Sequence, residues 1–121
     1  LVIAVLLRVP LKLDVIRDRN ALYRETAGGL IENTYTLKVM NMDNEAHRYI
    51  VSARGIDGLQ LHTDRADVAV AAGEVAEVPV RLQADRNNLA QRSMPVYFRL
   101  QASDEEDLVA EQTARFLGPT P

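Results

Sequence analysis

Hydrophobic and polar residues alternate with a period of two along most of the chain after Arg8, and no stretch shows a helical stripe over three turns. Alternation of this kind is typical of β-strands that bury one face and expose the other. The pattern predicts seven or eight short strands. At residues 31–39, it places Glu32, Thr34, Thr36 and Lys38 on the outward face. The side chains predicted to form the core share the inward faces of their strands: Tyr35, Leu37, Val39, Tyr49, Val51, Val78, Val80, Val96 and Phe98.

Polar segments rich in Asn, Asp and Gly separate these strands, for example at residues 41–45, 57–58 and 72–74. Such residues favour turns because they tolerate left-handed backbone angles or bond their own backbone. Many short strands with frequent turns predict an all-β fold, an antiparallel β-sandwich of immunoglobulin type. Pro79 has no backbone N–H, so we expect its strand to lie at a sheet edge or to be bulged there.

Residues 17–29 interrupt the alternation, since this segment is charged and ends in Gly28-Gly29. We expect a loop with one short helical turn, held in place by Tyr23, that crosses from one sheet to the other. Glycines here do not predict a phosphate-binding loop, because neither the lysine nor the helix of such a loop follows.

The chain begins with seven uniformly apolar residues, LVIAVLL, followed by Arg8. A membrane-spanning helix needs about 20 apolar residues, so this run is too short to cross a bilayer by itself. Residues 1–8 are therefore interpreted either as the remnant of a transmembrane helix or as a buried first strand. The sandwich domain is predicted at residues 9–118, with residues 119–121 as a C-terminal tail.

The composition of the chain excludes several classes of partner and site. A chain of 121 residues fits a single domain. A net charge of −3 argues against a nucleic-acid partner, because phosphate binding requires clustered Lys and Arg. The absence of cysteine excludes thiol nucleophiles, zinc–thiolate sites and iron–sulfur ligation within this chain.

Met40, Met42 and His47 form the one group that suggests a metal site, because thioethers and imidazole are ligands for Cu(I). The alternative is that the methionines serve as flexible packing residues. His62, near Asp64 and Asp67, has no nucleophile in a recognisable context and is interpreted as a surface histidine. The acidic run at residues 104–107 lacks the spacing of a calcium loop and is interpreted as a solvated turn.

Met40, Met42 and Ile50 fall on the nominally polar faces of two strands that are predicted to be hairpin neighbours. Exposed apolar side chains of this kind need cover. We expect that cover either from residues 17–29 folding back or from another chain.

Four strings of sequence are more distinctive than general β-sandwich text: LDVIRDRNALYRE at 13–25, IENTYTLKVMNMD at 31–43, HRY at 47–49 and GIDGLQL at 55–61. Together they resemble the C-terminal immunoglobulin-like domain of the FixG/CcoG-type cytochrome c oxidase accessory proteins. The resemblance covers most of the chain, from about Pro10 to Phe116.

The resemblance implies a parent protein of the membrane-bound polyferredoxin kind, with [4Fe–4S] clusters held by cysteines in its membrane part. It implies that this domain lies on the periplasmic face of the bacterial inner membrane, tethered through its N-terminus, and it favours the helix-remnant interpretation of residues 1–8. It also implies a role in assembling cbb-type oxidase and in reducing Cu(II) to Cu(I). Its expected partners are its own transmembrane ferredoxin-like region, oxidase subunits and copper-delivery proteins.

None of the cluster cysteines is present in this chain, so we assign no catalytic, cofactor-binding or metal-binding residue to it. The leading interpretation is a non-catalytic interaction domain. One alternative is a copper-binding domain that uses Met40, Met42 and His47. Another is an unrelated extracellular adhesion or carbohydrate-binding module, for which four Tyr and two Phe provide few stacking surfaces.

Overall fold

A computed structural model describes residues 10–17, 23–64, 67–105 and 108–119 of the chain. Within these ranges there is no α-helix, and only one 3-10 turn, at Arg86–Asn88. No helix in the described ranges has the length and apolar character required to cross a membrane. The strands are β1 Leu11–Arg17, β2 Arg24–Glu25, β3 Leu30–Asn41, β4 His47–Arg54, β5 Gln60–His62, β6 Asp67–Val70, β7 Val75–Asp85, β8 Ser93–Ala102 and β9 Val109–Leu117.

These nine strands form two antiparallel sheets, which confirms the predicted β-sandwich. The first sheet has the order β1-β3-β7-β5, with β2 also paired to β3, and the second has the order β6-β4-β8-β9. The strand count exceeds the predicted seven or eight because β2, a strand of two residues, lies in a segment that was predicted to be a loop. Residues 1–8, which were interpreted as a helix remnant or a first strand, lie outside the described part of the chain.

The core lies between the two sheets and contains the side chains that the alternation predicts. All nine predicted core residues are buried, with at most 5% of any of them exposed. At its centre, the rings of Tyr35 in β3 and Phe98 in β8 meet edge to face, with centroids 5.1 Å apart. Such aromatic pairs contribute about 0.5–1.5 kcal/mol beyond the free energy of area burial. The Tyr35–Phe98 contact therefore joins the two sheets.

Pro79 lies in β7, which is flanked by β3 and β5 rather than being an edge strand throughout. However, β5 pairs only with Arg81–Gln83, so the β5 side of β7 is open at Pro79. The Thr63 hydroxyl donates to the Pro79 carbonyl oxygen at 2.9 Å. Because N and C=O of an extended residue point to the same side, the proline nitrogen also faces this local edge.

The interpretation of residues 17–29 as a crossover between sheets is wrong. Within this segment β2 pairs with β3, and β1 pairs with a later part of the same strand. The connection from β1 to β2 therefore stays within the first sheet. A turn closed by a hydrogen bond from the Thr26 N–H to the Leu30 carbonyl, 2.8 Å long, joins β2 to β3. Tyr23 is 38% exposed and does not anchor the segment in the core. The expected helical turn falls at residues outside the described ranges.

Glu32 was predicted to face solvent but is only 4% exposed. It does lie on the outer face, where Arg24 of β2 covers it and donates to its carboxylate at 2.8 Å. Gln83 of β7 donates to the other carboxylate oxygen at 2.6 Å. Hydrogen bonds from both neighbouring strands satisfy this buried charge.

The prediction that β3 and β4 are hairpin neighbours is also wrong, because the two strands belong to different sheets. Met40 and Ile50 consequently lie on opposite outer faces of the sandwich. Met42 remains 62% exposed and Ile50 50% exposed. The described part of residues 17–29 pairs with the beginning of β3 and so does not cover Met40 near its end.

Candidate functional site

Several loops meet at the end of the sandwich where β1 begins, which we call the N-terminal end. The loop after β3 is bonded to the residue that precedes β1, since the Met42 N–H donates to the Pro10 carbonyl at 3.0 Å. The turn between β6 and β7 joins it through a bond from the Asn41 N–H to the Glu74 carbonyl, also 3.0 Å. The loop after β8 is attached by the Ser103 N–H, which donates to the Arg48 carbonyl at 2.8 Å. Backbone hydrogen bonds thus attach the end of β3 and its following loop to the β6–β7 turn and to Pro10, and the loop after β8 to β4.

His47, the first residue of β4, lies beneath these loops and is 5% exposed. Its Nε2 is 2.8 Å from a carboxylate oxygen of Asp43, in the loop after β3. Its Nδ1 is 3.1 Å from a carboxylate oxygen of Asp104, in the loop after β8. A protonated imidazole can donate to both carboxylates at once, so His47 connects two loops that are distant in sequence.

The hydrogen bonds between His47 and the two aspartates stabilise the charged forms of His47 and Asp43. The hydrogen bond to Asp43 raises the pKa of His47 above its ordinary value, with a further contribution from Asp104, while burial opposes the rise. The same hydrogen bond, together with one from the Asn44 N–H, lowers the pKa of Asp43. The arrangement therefore favours an imidazolium ion between carboxylates.

Asn41 fixes the loop that carries Asp43. Its side-chain amide donates to the carbonyl oxygens of Glu45 at 2.9 Å and Val70 at 3.0 Å, and its oxygen accepts the Asp43 N–H at 2.9 Å. All three hydrogen bonds involve backbone atoms of neighbouring segments. Asn41 is not among the residues predicted from the sequence, although it occupies an inward position of the β3 alternation, where an apolar residue is expected.

An open cleft of about 700 Å³ lies beside His47. Arg48, Glu74 and Asp104 contribute charged groups to its lining, and Ala69 and Val70 of the edge strand β6 contribute apolar ones. Clefts of this size accommodate small ligands or a short segment of a partner. The N-terminal end therefore combines an open cleft with a buried histidine that is paired to two carboxylates.

Tyr49 is the next inward-facing residue of β4, and its ring centroid lies 6.0 Å from that of His47. Its hydroxyl is buried without a hydrogen-bond partner among the described residues. Burial raises the pKa of Tyr49 to about 12, so the phenol stays neutral. It cannot act as a base beside His47 at physiological pH.

In the described structure both ring nitrogens of His47 bond carboxylates, and neither of these bonds is to a hydroxyl group. A cation could be held by Asp43, Glu45 and His47, which can each offer one ligand atom within 4.8 Å of the others. Two carboxylate oxygens and an imidazole form a ligand set for a divalent transition metal. Binding would require Nε2 of His47 to exchange its hydrogen bond with Asp43 for the metal.

The remaining candidates from the sequence are not brought together into a site. Met42 is in the exposed loop after β3 and Met40 faces outward, whereas the two nitrogens of His47 are bonded to aspartates. His62 is bonded to Gln60 at 3.1 Å, and Asp67 lies near Arg48 instead. Gly29 has a positive φ of 84° and serves the β2–β3 turn. In the acidic run, the side chain of Asp104 bonds His47 and the Glu105 carbonyl accepts the Leu108 N–H, while residues 106–107 lie outside the described ranges.

Comparison with known proteins agrees with this architecture. Residues 1–119 match the model of a family described as the IG-like fold at the C-terminus of FixG, which that description assigns provisionally to the oxidoreductases. A crystal structure of a FixG-related protein from Vibrio parahaemolyticus is 32% identical in sequence and superimposes with a TM-score of 0.78, covering 89% of this chain and 95% of the other.

The yeast GGA1 GAE domain is 9% identical, with a TM-score of 0.49 over 93% of this chain and 94% of that one. No curated protein matches the chain significantly. The match over nearly the full length, together with the FixG-related structure, shows that this chain belongs to the family of C-terminal immunoglobulin-like domains of FixG.

Proposed function

We propose that this domain is a non-catalytic interaction module of a membrane-bound iron–sulfur protein of the FixG type. In this proposal it lies on the periplasmic face of the inner membrane and serves the assembly of cbb-type cytochrome oxidase and the reduction of copper for it. Family membership supports the proposal. Its [4Fe–4S] clusters would lie in the membrane part of the parent protein, since this chain contains no cysteine.

The observation that carries the proposal is the arrangement of the N-terminal end. The chain enters the sandwich there through Pro10, and the cleft and the His47 ion pairs lie at the same end. A domain attached to a membrane through its N-terminus would turn this end toward the membrane part. Its own transmembrane ferredoxin-like region is thus the first expected partner of the cleft.

The opposite end would lie farther from the membrane. β3 has 12 residues, and at about 3.3 Å per residue it extends about 40 Å. β9 runs away from the N-terminal end and finishes at Leu117, at the far side. Oxidase subunits and copper-delivery proteins would accordingly meet the lateral faces or the far end.

Localisation can be tested with a reporter fused after Pro121 of the full-length protein. We expect a reporter that is active only outside the cytoplasm to give signal, as alkaline phosphatase does. A second fusion, in a cytoplasmic cluster-binding segment of the same protein, serves as the control and should be silent. Activity of a cytoplasm-specific reporter after Pro121 would refute the proposed location.

The functional proposal can be tested by deleting residues 10–119 from the full-length protein. We expect the absorbance of the iron–sulfur clusters to persist while the amount of assembled cbb-type oxidase falls. Loss of the clusters would indicate a structural role for the domain, and unchanged oxidase would contradict an interaction role.

A metal-binding domain is the second candidate, and the grouping of Asp43, Glu45 and His47 favours it. Titration with Cu(I) and Cu(II) would distinguish two ligand sets. Submicromolar Cu(I) binding lost in the double variant Met40→Leu, Met42→Leu would support the methionines. Cu(II) binding lost in Glu45→Gln and retained in the methionine variant would support the carboxylate–imidazole set. The alternative of an unrelated adhesion or carbohydrate-binding module is displaced by the family membership.

A further inference from the structure

The outer face of the second sheet concentrates arginine. Outward and inward positions alternate along its strands. Four of the outward positions are arginines: Arg48, Arg54, Arg99 and Arg115. The pairing register places Arg99 opposite both Ser52 and Glu111, and Arg54 opposite Tyr97. We call these four residues, together with Ile50 and Tyr97, the arginine face.

This face carries a surplus of positive charge in a chain whose net charge is −3. Its four arginines are accompanied on the outward positions of the same strands by two carboxylates, Glu111 and Asp67. On the outer face of the first sheet, by contrast, four basic residues are matched by four acidic ones: Lys12, Arg24, Lys38 and Arg81 by Asp14, Glu32, Glu77 and Asp85. The positive surplus is thus a property of one face and not of the whole molecule.

The arginines are incompletely neutralised by their own carboxylates. Glu111 is shared between Arg54 at 3.7 Å and Arg99 at 3.9 Å, and Arg48 lies 3.5 Å from Asp67. Arg115 bonds to the hydroxyl and the carbonyl of Ser93. Each guanidinium has five N–H donors, so most of its hydrogen-bonding capacity remains. The side chains of Arg48, Arg54 and Arg99 are 59%, 67% and 45% exposed.

Tyr97 and Ile50 give this face the other features of a protein interface. The guanidinium carbon of Arg54 lies over the Tyr97 ring, 4.6 Å from its centroid, in a cation–π contact. Ile50 is 50% exposed, opposite Gln101 of β8. Arginine and tyrosine are enriched among the residues that dominate binding energy at interfaces.

We propose that the arginine face binds an acidic surface of a partner protein through arginine–carboxylate pairs around Tyr97 and Ile50. This inference rests on the proposed interaction role and specifies the chemistry of the partner. Guanidinium groups bind carboxylates well because they can form bidentate hydrogen bonds with them.

Charge complementarity favours this occupant over two others. A second copy related by two-fold symmetry would set positive faces against each other, which is repulsive. Anionic lipid surfaces attract continuous clusters of Lys and Arg, whereas the arginine face interleaves its basic residues with Glu111, Asp67 and Ile50. A face on which charged and apolar residues are interleaved is complementary to a protein surface with carboxylates at defined positions.

The binding experiment uses this domain labelled with ¹⁵N and a poly-glutamate peptide as the acidic probe, with poly-glutamine as the uncharged control. We expect poly-glutamate to shift the amide signals of β4, β8 and β9 at the arginine face. The double variant R54E/R99E should weaken the binding at least tenfold. The variant R81E/R86E, which has the same net charge but alters other surfaces, should change it less than twofold. Equal weakening in both variants, or shifts confined to another face, would overturn the proposal.

Two further measurements test the competing occupants and the fold of the variants. Vesicles containing phosphatidylglycerol should bind the domain no better than neutral vesicles; binding that R54E/R99E abolishes would assign the face to lipid and overturn the proposal. Both variants should keep the circular dichroism and urea midpoint of the parent domain. Should R54E/R99E fail to fold, R54Q/R99Q takes its place with the same expectation.

In the full-length protein, R54E/R99E should lower the amount of assembled cbb-type oxidase as deletion of residues 10–119 does, while R81E/R86E should not. If the deletion lowers the oxidase and R54E/R99E does not, the arginine face is not the docking surface although the interaction role stands. If the deletion itself has no effect, the interaction role fails.

Discussion

The side-chain amide of Asn33 in β3 bonds both polar backbone groups of Leu117, at the end of β9 in the opposite sheet. Its Nδ2 donates to the Leu117 carbonyl at 2.8 Å, and its oxygen accepts the Leu117 N–H at 2.9 Å. Nearby, the Tyr35 hydroxyl donates to the Arg115 carbonyl at 2.7 Å. Because β9 is an edge strand, these bonds satisfy backbone groups that would otherwise be available for pairing with another chain.

Replacing Asn33 with Ala should therefore destabilise the domain by about 1–3 kcal/mol, since it leaves the part-buried backbone groups of Leu117 without their side-chain partner. Urea unfolding followed by circular dichroism measures the effect. The exposed neighbour Thr34→Ala is the control and should change the free energy of unfolding by less than about 0.5 kcal/mol. A loss as small as this for Asn33→Ala would mean that water replaces the amide.

The two buried tyrosines should respond oppositely to loss of their hydroxyls. Tyr35→Phe removes the bond to the Arg115 carbonyl and should cost about 0.5–1.5 kcal/mol. Tyr49→Phe removes a buried hydroxyl that has no partner in the described structure, so stability should stay the same or rise. Parallel urea titrations compare the two variants. Equal destabilisation by both would show that the Tyr49 hydroxyl has a stabilising partner.

Phe98→Ala should cost about 3–5 kcal/mol, because it removes a fully buried ring that contacts Tyr35 from the other sheet. Thr113→Ala, at an exposed position on the outer face of β9, is the matched control. Chemical denaturation of both variants gives the values. A loss below about 1 kcal/mol for Phe98→Ala would be inconsistent with a close-packed core.

Stability should depend on pH through His47 and Asp43, in opposite directions. The folded pKa of His47 is raised, so its contribution is complete below the ordinary value of 6.5 and is lost as the pH rises through the folded pKa. The folded pKa of Asp43 is lowered, so its contribution is present above the ordinary value of 3.8 and is lost as the pH falls through the folded pKa. Both contributions are complete between these two ordinary values.

Urea unfolding as a function of pH tests this expectation. The parent domain should lose stability as the pH rises above 6.5, and His47→Asn should remove most of that dependence. His62→Gln, at a histidine bonded to Gln60 near the surface, should preserve it. A flat profile for the parent domain from pH 6 to about 9 would show that folding leaves the pKa of His47 unshifted, and stability that rises with pH in this range would show that His47 is neutral when folded.

Gly55 should tolerate no side chain. Its φ is +129°, and a Cβ atom would lie 2.7 Å from the Pro95 carbonyl oxygen. Gly73 also has a positive φ, +73°, but a Cβ there would meet nothing within 4 Å. Gly73→Ala should therefore cost about 1–2 kcal/mol from backbone strain alone. Gly55→Ala should cost about 1–3 kcal/mol more because of the clash, and similar thermal midpoints for the two variants would contradict this.

Local sequence was sufficient to predict the long strands and the core, although not the two-residue strand β2. The side chain of each strand residue faces the side opposite to its neighbour's, so the alternation along β3, β7 and β8 reports directly which side chains are buried. The prediction that the strand is open at Pro79 also depended on that residue alone, because proline has no backbone N–H. The distinctive strings at residues 13–25 and 31–43 were sufficient to predict the family.

Tertiary structure alone decided which strands are neighbours and how buried polar groups are satisfied. Tyr35 and Arg115 bond across 80 positions of sequence, and His47 and Asp104 across 57. Glu32 looked exposed because the alternation cannot show that β2 covers the outer face at that point. Asn33 and Asn41 interrupt an apolar face, which marks them as unusual, but their partners come from β9 and β6. The period of two reports the face on which a side chain lies, whereas pairing, covering and bridging depend on long-range contacts that no local pattern contains.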